Sequence, residues 1–344
     1  MKTTHKVYFQ NSQSLCNLEN ESIHLVITSP LYPMVKMWDD NFSLLNPKIK
    51  LALKAQNGKE AFELMHKELD KVWNEVYRVL KPGSIVCINI GDATRSIGGD
   101  FSLFPSHSRI IFHCCEIGFS CLPHIIWNKQ TNAPNKFMGS GMLPPGGYIT
   151  LEHEFILIFR KGGKREFKTI EEKRERFLSP YFWEERNMWF SNIWDLRGVH
   201  QSLKNNKVRA RSAAFPFDLA YRLINMFSLK GDTVLDPFLG TGTTTLTAMA
   251  SARNSVGMEI EENFREIIQE GIANIVEYAN QYNEERIQRH IEYVSKRNEN
   301  QNKIKYINKH YGFPVITKQE LEFKLNILKE VRIDEDSFEV EYVD

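Results

Sequence analysis

Short runs of β-branched and bulky apolar side chains recur along the chain at residues 22–28, 84–90, 124–128, 153–159, 233–236 and 255–260. Each has strand length, several end at turn residues, and each predicts a buried strand. Between them the period changes. Over residues 60–80, Phe62, Met65, Leu69, Val72, Val76 and Leu80 fall three or four apart in one apolar stripe, which predicts a helix. Lys81-Pro82-Gly83 supplies its stop signal. Shorter helical patterns cover residues 218–227 and 243–252, and Ile267, Ile268, Ile272, Ile275, Val276 and Ala279 carry another beyond Glu261. Strand alternating with helix predicts an α/β fold, an open and mostly parallel sheet with helices on both faces.

Two stretches break the alternation. Residues 129–148 hold Gly139, Gly141, Pro144, Pro145, Gly146 and Gly147 and read as one long loop, of a length that in compact domains usually carries function. Residues 161–208 are charged and aromatic without a clean period. Their aromatics, Tyr181, Phe182, Trp183, Trp189, Phe190 and Trp194, fit a small satellite core better than a base-stacking surface. Beyond Tyr282 the chain turns polar and charged, and no internal repeat is present.

Composition narrows the class. The chain has 344 residues, 42% apolar and 25% charged, enough for two domains or one large domain with additions, and wholesale disorder is excluded. No run of 18 apolar residues predicts a membrane span, and Met1-Lys2-Thr3-Thr4-His5-Lys6 leads into no apolar stretch typical of a secretory signal. The five cysteines show no CxxC spacing, so neither a zinc site nor a disulfide framework is expected, and the reading is a reduced, cytoplasmic protein. His107, His113, His124 and His153 lack ligand spacing and read as structural, with no metal expected. The net charge of +1 hides an asymmetry: residues 329–344 carry two basic and seven acidic side chains. Residues 197–211 carry five basic side chains, Arg197, Lys204, Lys207, Arg209 and Arg211, and no acidic one. Alone that is a solvated loop; beside a catalytic site it would neutralise phosphates.

Two motifs carry chemistry. Asp236-Pro237-Phe238-Leu239-Gly240-Thr241-Gly242 lies between a predicted strand and a helix opening with Thr243, Thr244 and Thr245. Glycines there let a ligand approach the backbone, at the carboxyl end of a parallel strand where nucleotide-type ligands bind. The next strand delivers Glu259, an acid suited to the two hydroxyls of a ribose. The lysine of a phosphate loop is missing, and Thr245 stands where a dinucleotide fingerprint needs Gly or Ala. The pocket therefore suits an adenosine ligand without a pyrophosphate, and S-adenosylmethionine is such a ligand.

The second motif is Ser29-Pro30-Leu31-Tyr32, directly after the first predicted strand. Here the chain resembles the DNA amino-methyltransferases, whose tetrad is Ser, Asn or Asp, then Pro-Pro, then Tyr or Phe; three of four positions fit, and Leu31 replaces the second proline. The resemblance extends to Phe215-Pro216, to Arg222-Leu223-Ile224 and to the loop from Asp236 to Gly242, over roughly residues 20–275. The circularly permuted order, tetrad first and cofactor loop second, is similar to the β group of that family. The resemblance implies a Rossmann-like, S-adenosylmethionine-dependent methyltransferase fold. Its implied parts are a catalytic half at 1–160, a target-recognition region at 161–208, a cofactor half at 209–282 and a helical, acidic appendage at 283–344.

It also implies roles: Ser29, Pro30 and Tyr32 catalytic; Phe215, Asp236, Phe238, Gly240, Gly242, Thr243 and Glu259 at the cofactor. Lys129, Lys136, Arg197, Lys204, Lys207, Arg209 and Arg211 would face double-stranded DNA. The loop at 129–148 is a second candidate for DNA contact, through Lys129, Asn132, Asn135 and Lys136. A conjugated exocyclic amine is a poor nucleophile, and acceptors on its hydrogens favour the pyramidal reacting geometry over the planar one. Because that amine is buried in the duplex, the base would be flipped out. Serine at the first tetrad position resembles the cytosine-N4 enzymes; adenine-N6 stays open, because a hydroxyl accepts from either amine. Family membership further implies a partner restriction endonuclease. RNA or small-molecule methylation and a silent DNA-binding role are the rivals. Gly91-Asp92, ending the strand at 84–90, reads equally as a turn or as a pocket wall.

Overall fold

The computed structural model describes residues 1–129, 138–196, 215–299 and 304–343. Among them eleven strands form one sheet. These are β1 (Lys2–Phe9), β2 (Ile23–Thr28), β3 (Leu80–Ile90), β4 (Phe119–Cys121), β5 (Ile125–Asn128) and β6 (His153–Lys161). The later ones are β7 (Ile193–Asp195), β8 (Thr233–Asp236), β9 (Asn254–Glu259), β10 (Leu328–Asp334) and β11 (Ser337–Tyr342). The order is β7-β5-β6-β3-β2-β8-β9-β1-β11-β10, with β4 beside β6. The five central strands, β3 to β1 in that order, run parallel; β6 and the β10–β11 hairpin flank them antiparallel.

Helices cover both faces. The helices are α1 (Asp39–Leu45), α2 (Pro47–Lys54), α3 (Gly58–Val79), α4 (Ser106–Glu116), α5 (Ile170–Phe177), α6 (Trp183–Trp189), α7 (Phe217–Phe227), α8 (Thr243–Ala250), α9 (Arg265–Ala273) and α10 (Ile275–Glu299). On one face the stripe of α3, with Met65, Leu69, Val72, Trp73 and Val76 buried, packs on Val86, Ile88 and Leu157 of β3 and β6. On the other, Leu219, Leu223 and Ile224 of α7 pack on Leu25, Ile27 and Ile156. The period-2 pleat thus sends alternate residues of one strand to different cores. No described helix is long and apolar enough to cross a membrane.

Three elements differ from the sequence expectation. Lys81-Pro82-Gly83 separates nothing: Leu80 turns extended and β3 starts there, the register with β2 shifting between Ile23 and Leu25. Proline and glycine are tolerated at such an irregularity. The strand β1 carries no hydrophobic signal because its inward positions include Thr3 and His5. These are satisfied by Ser255, at 2.8 Å from His5 Nδ1, and by Tyr342, at 3.0 Å from Thr3 Oγ1. Burial holds His5 neutral, its pKa pushed down to about 3. Finally, the acidic end is not an appendage. Residues 328–342 form β10 and β11 inside the main sheet, and only α10 fits the helical expectation for 283–344.

Of the aromatics of residues 181–194, Phe182 builds a satellite core with Phe323 and Leu325, whereas Trp189 and Trp194 join two larger cores and Phe190 is exposed. Phe182 is fully buried and stacks on His290 at 3.8 Å, against Phe323. Beneath it the Arg286 guanidinium donates twice to Glu185, at 2.6 and 2.7 Å, and once to Tyr221 at 2.9 Å.

Candidate active site

The two motifs meet because β2 and β8 are neighbours. Thr28, the last residue of β2, donates to Asp236 Oδ1 at 2.6 Å; Phe238 N donates to the same oxygen at 3.0 Å. Thr244 in α8 donates to Oδ2 at 2.6 Å. Burial raises this carboxyl to about 6 despite the three donors. Asp236, 1% exposed, thus braces the tetrad strand to the glycine loop from behind. It is not among the residues lining the cleft, behind which it holds the loop expected to seat the cofactor.

In front of that brace a cleft is lined by Ser29, Pro30, Leu31, Phe215, Phe238, Gly240, Thr243 and Glu259, closed by Trp38, Asn41 and Phe264. Gly240 is left-handed (φ +56°), and a Cβ built on it meets nothing within 4 Å, so the loop leaves room above its backbone. Its N–H donates to Glu259 at 2.8 Å, and Glu261 N donates to the other oxygen at 2.8 Å. The Ile260 backbone adds a third hydrogen bond, which leaves part of that carboxylate's acceptor capacity. Burial pushes Glu259 up to about 7. Gly242 (φ +87°) starts α8 facing Ile268 and lies outside the cleft lining.

Tyr32 is also outside the lining, held in a polar chain. Ser29 Oγ donates to Tyr32 OH at 3.2 Å, and Tyr32 OH donates to Glu154 at 2.8 Å. Asn89 donates to both Tyr32 and Glu154 at 2.8 Å, and Lys129 closes the far side of Glu154 at 2.7 Å. Burial, then the Glu154 charge, holds the phenol far above its usual range. Sequence reasoning missed Asn89 and Glu154. The legible signal was a lone polar residue inside the apolar run Ile88-Asn89-Ile90, and a charge at the start of the buried strand β6.

Gly91 packs against Tyr32, where a Cβ would lie 2.9 Å from Tyr32 Cε2, and it does not line the cleft. Asp92 resolves as a cap, accepting from His107 N at 3.1 Å and pairing with His107 Nδ1 at 2.7 Å. Gly91→Ala is expected to cost about 1–3 kcal/mol by overpacking and to lower methyl transfer more than about tenfold. S-adenosylmethionine affinity should stay within about threefold, because the clash is on the far side of Ser29. Calorimetric binding beside a methyl-transfer assay checks both.

Among the DNA-facing expectations, Lys129 lies outside the cleft lining, paired with Glu154 and over the Trp127 ring at 5.1 Å. Lys136, Arg197, Lys204, Lys207, Arg209 and Arg211 lie outside the described residues, as do Asn132 and Asn135. His113 faces Asp70 and His124 accepts from Ile158 N; no described group of three His, Cys, Asp or Glu is placed to hold a metal.

The DNA methylase family model matches residues 23–270. The chain belongs to this family. It is 53% identical to the Type II methyltransferase M.MthZI of Methanothermobacter thermautotrophicus, over 94% of this chain and 91% of that one. It is 50% identical to the Type II methyltransferase M.MjaI of Methanocaldococcus jannaschii, over 78% and 91%. A Thermus thermophilus protein assigned as a DNA modification methylase, solved with S-adenosyl-L-methionine, superposes with a TM-score of 0.61 at 33% identity, covering 79% of this chain and 94% of that one. The fold is that of the S-adenosylmethionine-dependent DNA methyltransferases, and this chain is such an enzyme.

Proposed function

We propose that this methyltransferase acts on the N4 amine of cytosine, flipped out of duplex DNA, and serves as the modification partner of a restriction endonuclease. One observation carries the reading: Ser29 and Pro30 share a single cleft with Gly240, Thr243 and Glu259, although some 210 residues of chain separate the two motifs. The cleft fits the cofactor, with open space over Gly240, apolar walls in Phe215 and Phe238, and the Glu259 carboxylate among its lining groups. Gly240, Thr243 and Glu259 would hold the nucleoside, Glu259 accepting the ribose hydroxyls. Bound S-adenosylmethionine supplies the electrophilic methyl.

The chain's own contribution is at the amine. Ser29 donates a hydrogen bond to Tyr32, which donates its own to the Glu154 carboxylate. Toward the cleft Ser29 therefore offers lone pairs only, strengthened by the hydrogen-bond chain behind it. Ser29 Oγ and the Pro30 carbonyl accept the amino hydrogens and favour the pyramidal nitrogen. Tyr32 lies behind the present lining beside Ser29, and its ring would meet the face of the base once the base enters. Serine at the tetrad's first position supports cytosine-N4 over adenine-N6. Methylome sequencing of a host expressing the enzyme tests this: N4-methylcytosine in a fixed context is expected, and N6-methyladenine would overturn the base assignment.

Cofactor affinity should depend on pH through Glu259. The carboxylate accepts two hydroxyls and its protonated form does not, so binding favours ionisation and affinity falls as pH drops through about 7. Between pH 8 and pH 6 the dissociation constant should rise about tenfold, and Glu259→Gln should flatten the profile. The same raised pKa makes the empty protein lose stability as pH climbs from the unfolded value near 4.5 to about 7. Titration calorimetry across that range reads the first effect and thermal melts the second.

A further inference from the structure

The loop that breaks the strand alternation returns as a built feature. Met138–Gly139 pairs antiparallel with Gly147–Tyr148, and Ser140 N donates to Gly146 O at 2.8 Å. Glycine is required in this hairpin, since a Cβ on Gly139 would sit 2.1 Å from Gly146 O. Its tip carries Met142 and Leu143, 87% and 73% exposed, and residues 138–150 hold no charged side chain. Solvent-facing apolar side chains at a shaped, uncharged tip call for a partner surface.

Position identifies the partner. The loop leaves at Lys129 and re-enters β6 at His153, one residue before Glu154, which holds Tyr32. The strand β6 is antiparallel to β3, so its start lies at the carboxyl edge of the parallel strands, where the tetrad is. A second hairpin, Ala93–Ile97 with Asp100–Phe104, rises from that edge after β3. The two hairpins are joined by Tyr148 stacked on Phe101 at 4.2 Å. The second is rooted in the core through Ala93 and Phe104 and tied to α1 by the bidentate Arg95–Asp39 pair. The tip is thus continuous with the surface that DNA must cover for a base to reach Ser29.

We propose that Met142 and Leu143 are an apolar wedge that enters the base stack of duplex DNA as the target nucleotide is drawn into the cleft. Uncharged apolar tips have nothing to offer phosphates, whereas leucine and methionine inserted at a base step partly unstack it. The wedge occupies the space the extruded base leaves and slows its return. The inference rests on the base-flipping reading above.

The test is methyl transfer by Met142→Ser/Leu143→Ser on two oligonucleotides containing the site found by methylome sequencing, one fully paired and one with the target base mispaired. A mispaired base is easier to extrude, so it needs the wedge less. On the paired duplex the rate should fall about 10- to 100-fold, and on the mispaired one less than about threefold. Leu143→Met alone should keep most of the activity, and S-adenosylmethionine affinity should be unchanged. Equal loss on both duplexes, or loss on neither, overturns the wedge. So does a loss accompanied by a change in sedimentation, which would assign the tip to contact with a second copy. If 2-aminopurine at the target position stays stacked and quenched when the wild-type enzyme binds, the base is not extruded, and the flipping reading falls rather than the wedge alone.

Discussion

Gly240→Asp is expected to give a folded protein that no longer binds S-adenosylmethionine. Gly240 is left-handed at φ +56°, a region that aspartate enters more readily than most residues, and no atom lies within 4 Å of the Cβ it would gain. The substitution therefore has little to clash with in the empty protein, and the melting temperature should move by no more than a few degrees. What it changes is the cleft. The new carboxylate occupies space beside the ligand site, on a residue whose N–H is 2.8 Å from Glu259. Two carboxylates there repel, and an added charge desolvated by ligand binding costs several kcal/mol. Affinity should drop at least about 100-fold and methyl transfer become undetectable. Near-normal binding by calorimetry would show that this loop is not the cofactor's seat.

Much of the catalytic and cofactor halves was legible, because their central strands are largely buried and read as apolar runs, and because glycine and proline mark their turns. The strands at 23–28, 125–128, 233–236 and 254–259 fall within a few residues of expectation. What escaped shares one physical cause: polar groups satisfied by other polar groups carry no hydrophobic period. The strand β1 hides behind Thr3 and His5, whose partners are Ser255 and Tyr342, some 250 and 340 residues away. The strands β10 and β11 hide behind acidic residues that sit outward in pairs such as Lys2–Glu339 and Lys329–Glu341. Asp236 was read as a ligand contact from its place in the motif. Only the folded arrangement reveals its three donors, already engaged behind the cleft.

Ser29→Ala should separate chemistry from cofactor binding. Among the acceptors proposed for the amine, Ser29 Oγ is the only side-chain oxygen, and its alanine variant leaves the nitrogen with the Pro30 carbonyl alone. Loss of one preorganised partner to a reacting group typically lowers turnover about 10²- to 10³-fold. The brace from Thr28 to Asp236 and the Gly240–Glu259 contact are untouched, so S-adenosylmethionine affinity should stay within about threefold. Tyr32→Phe makes the chain behind Ser29 testable. The ring that would meet the base is retained, but the hydroxyl linking Ser29 to Glu154 is gone, and the serine proton must find another acceptor. An intermediate loss of about tenfold in turnover is expected, smaller than for Tyr32→Ala, where stacking worth about 1–3 kcal/mol disappears as well. Single-turnover kinetics with saturating cofactor read all three variants. A Tyr32→Phe enzyme with wild-type turnover would show that Ser29 acts without the hydrogen-bond chain, and a Ser29→Ala enzyme with wild-type turnover would remove the tetrad from catalysis altogether.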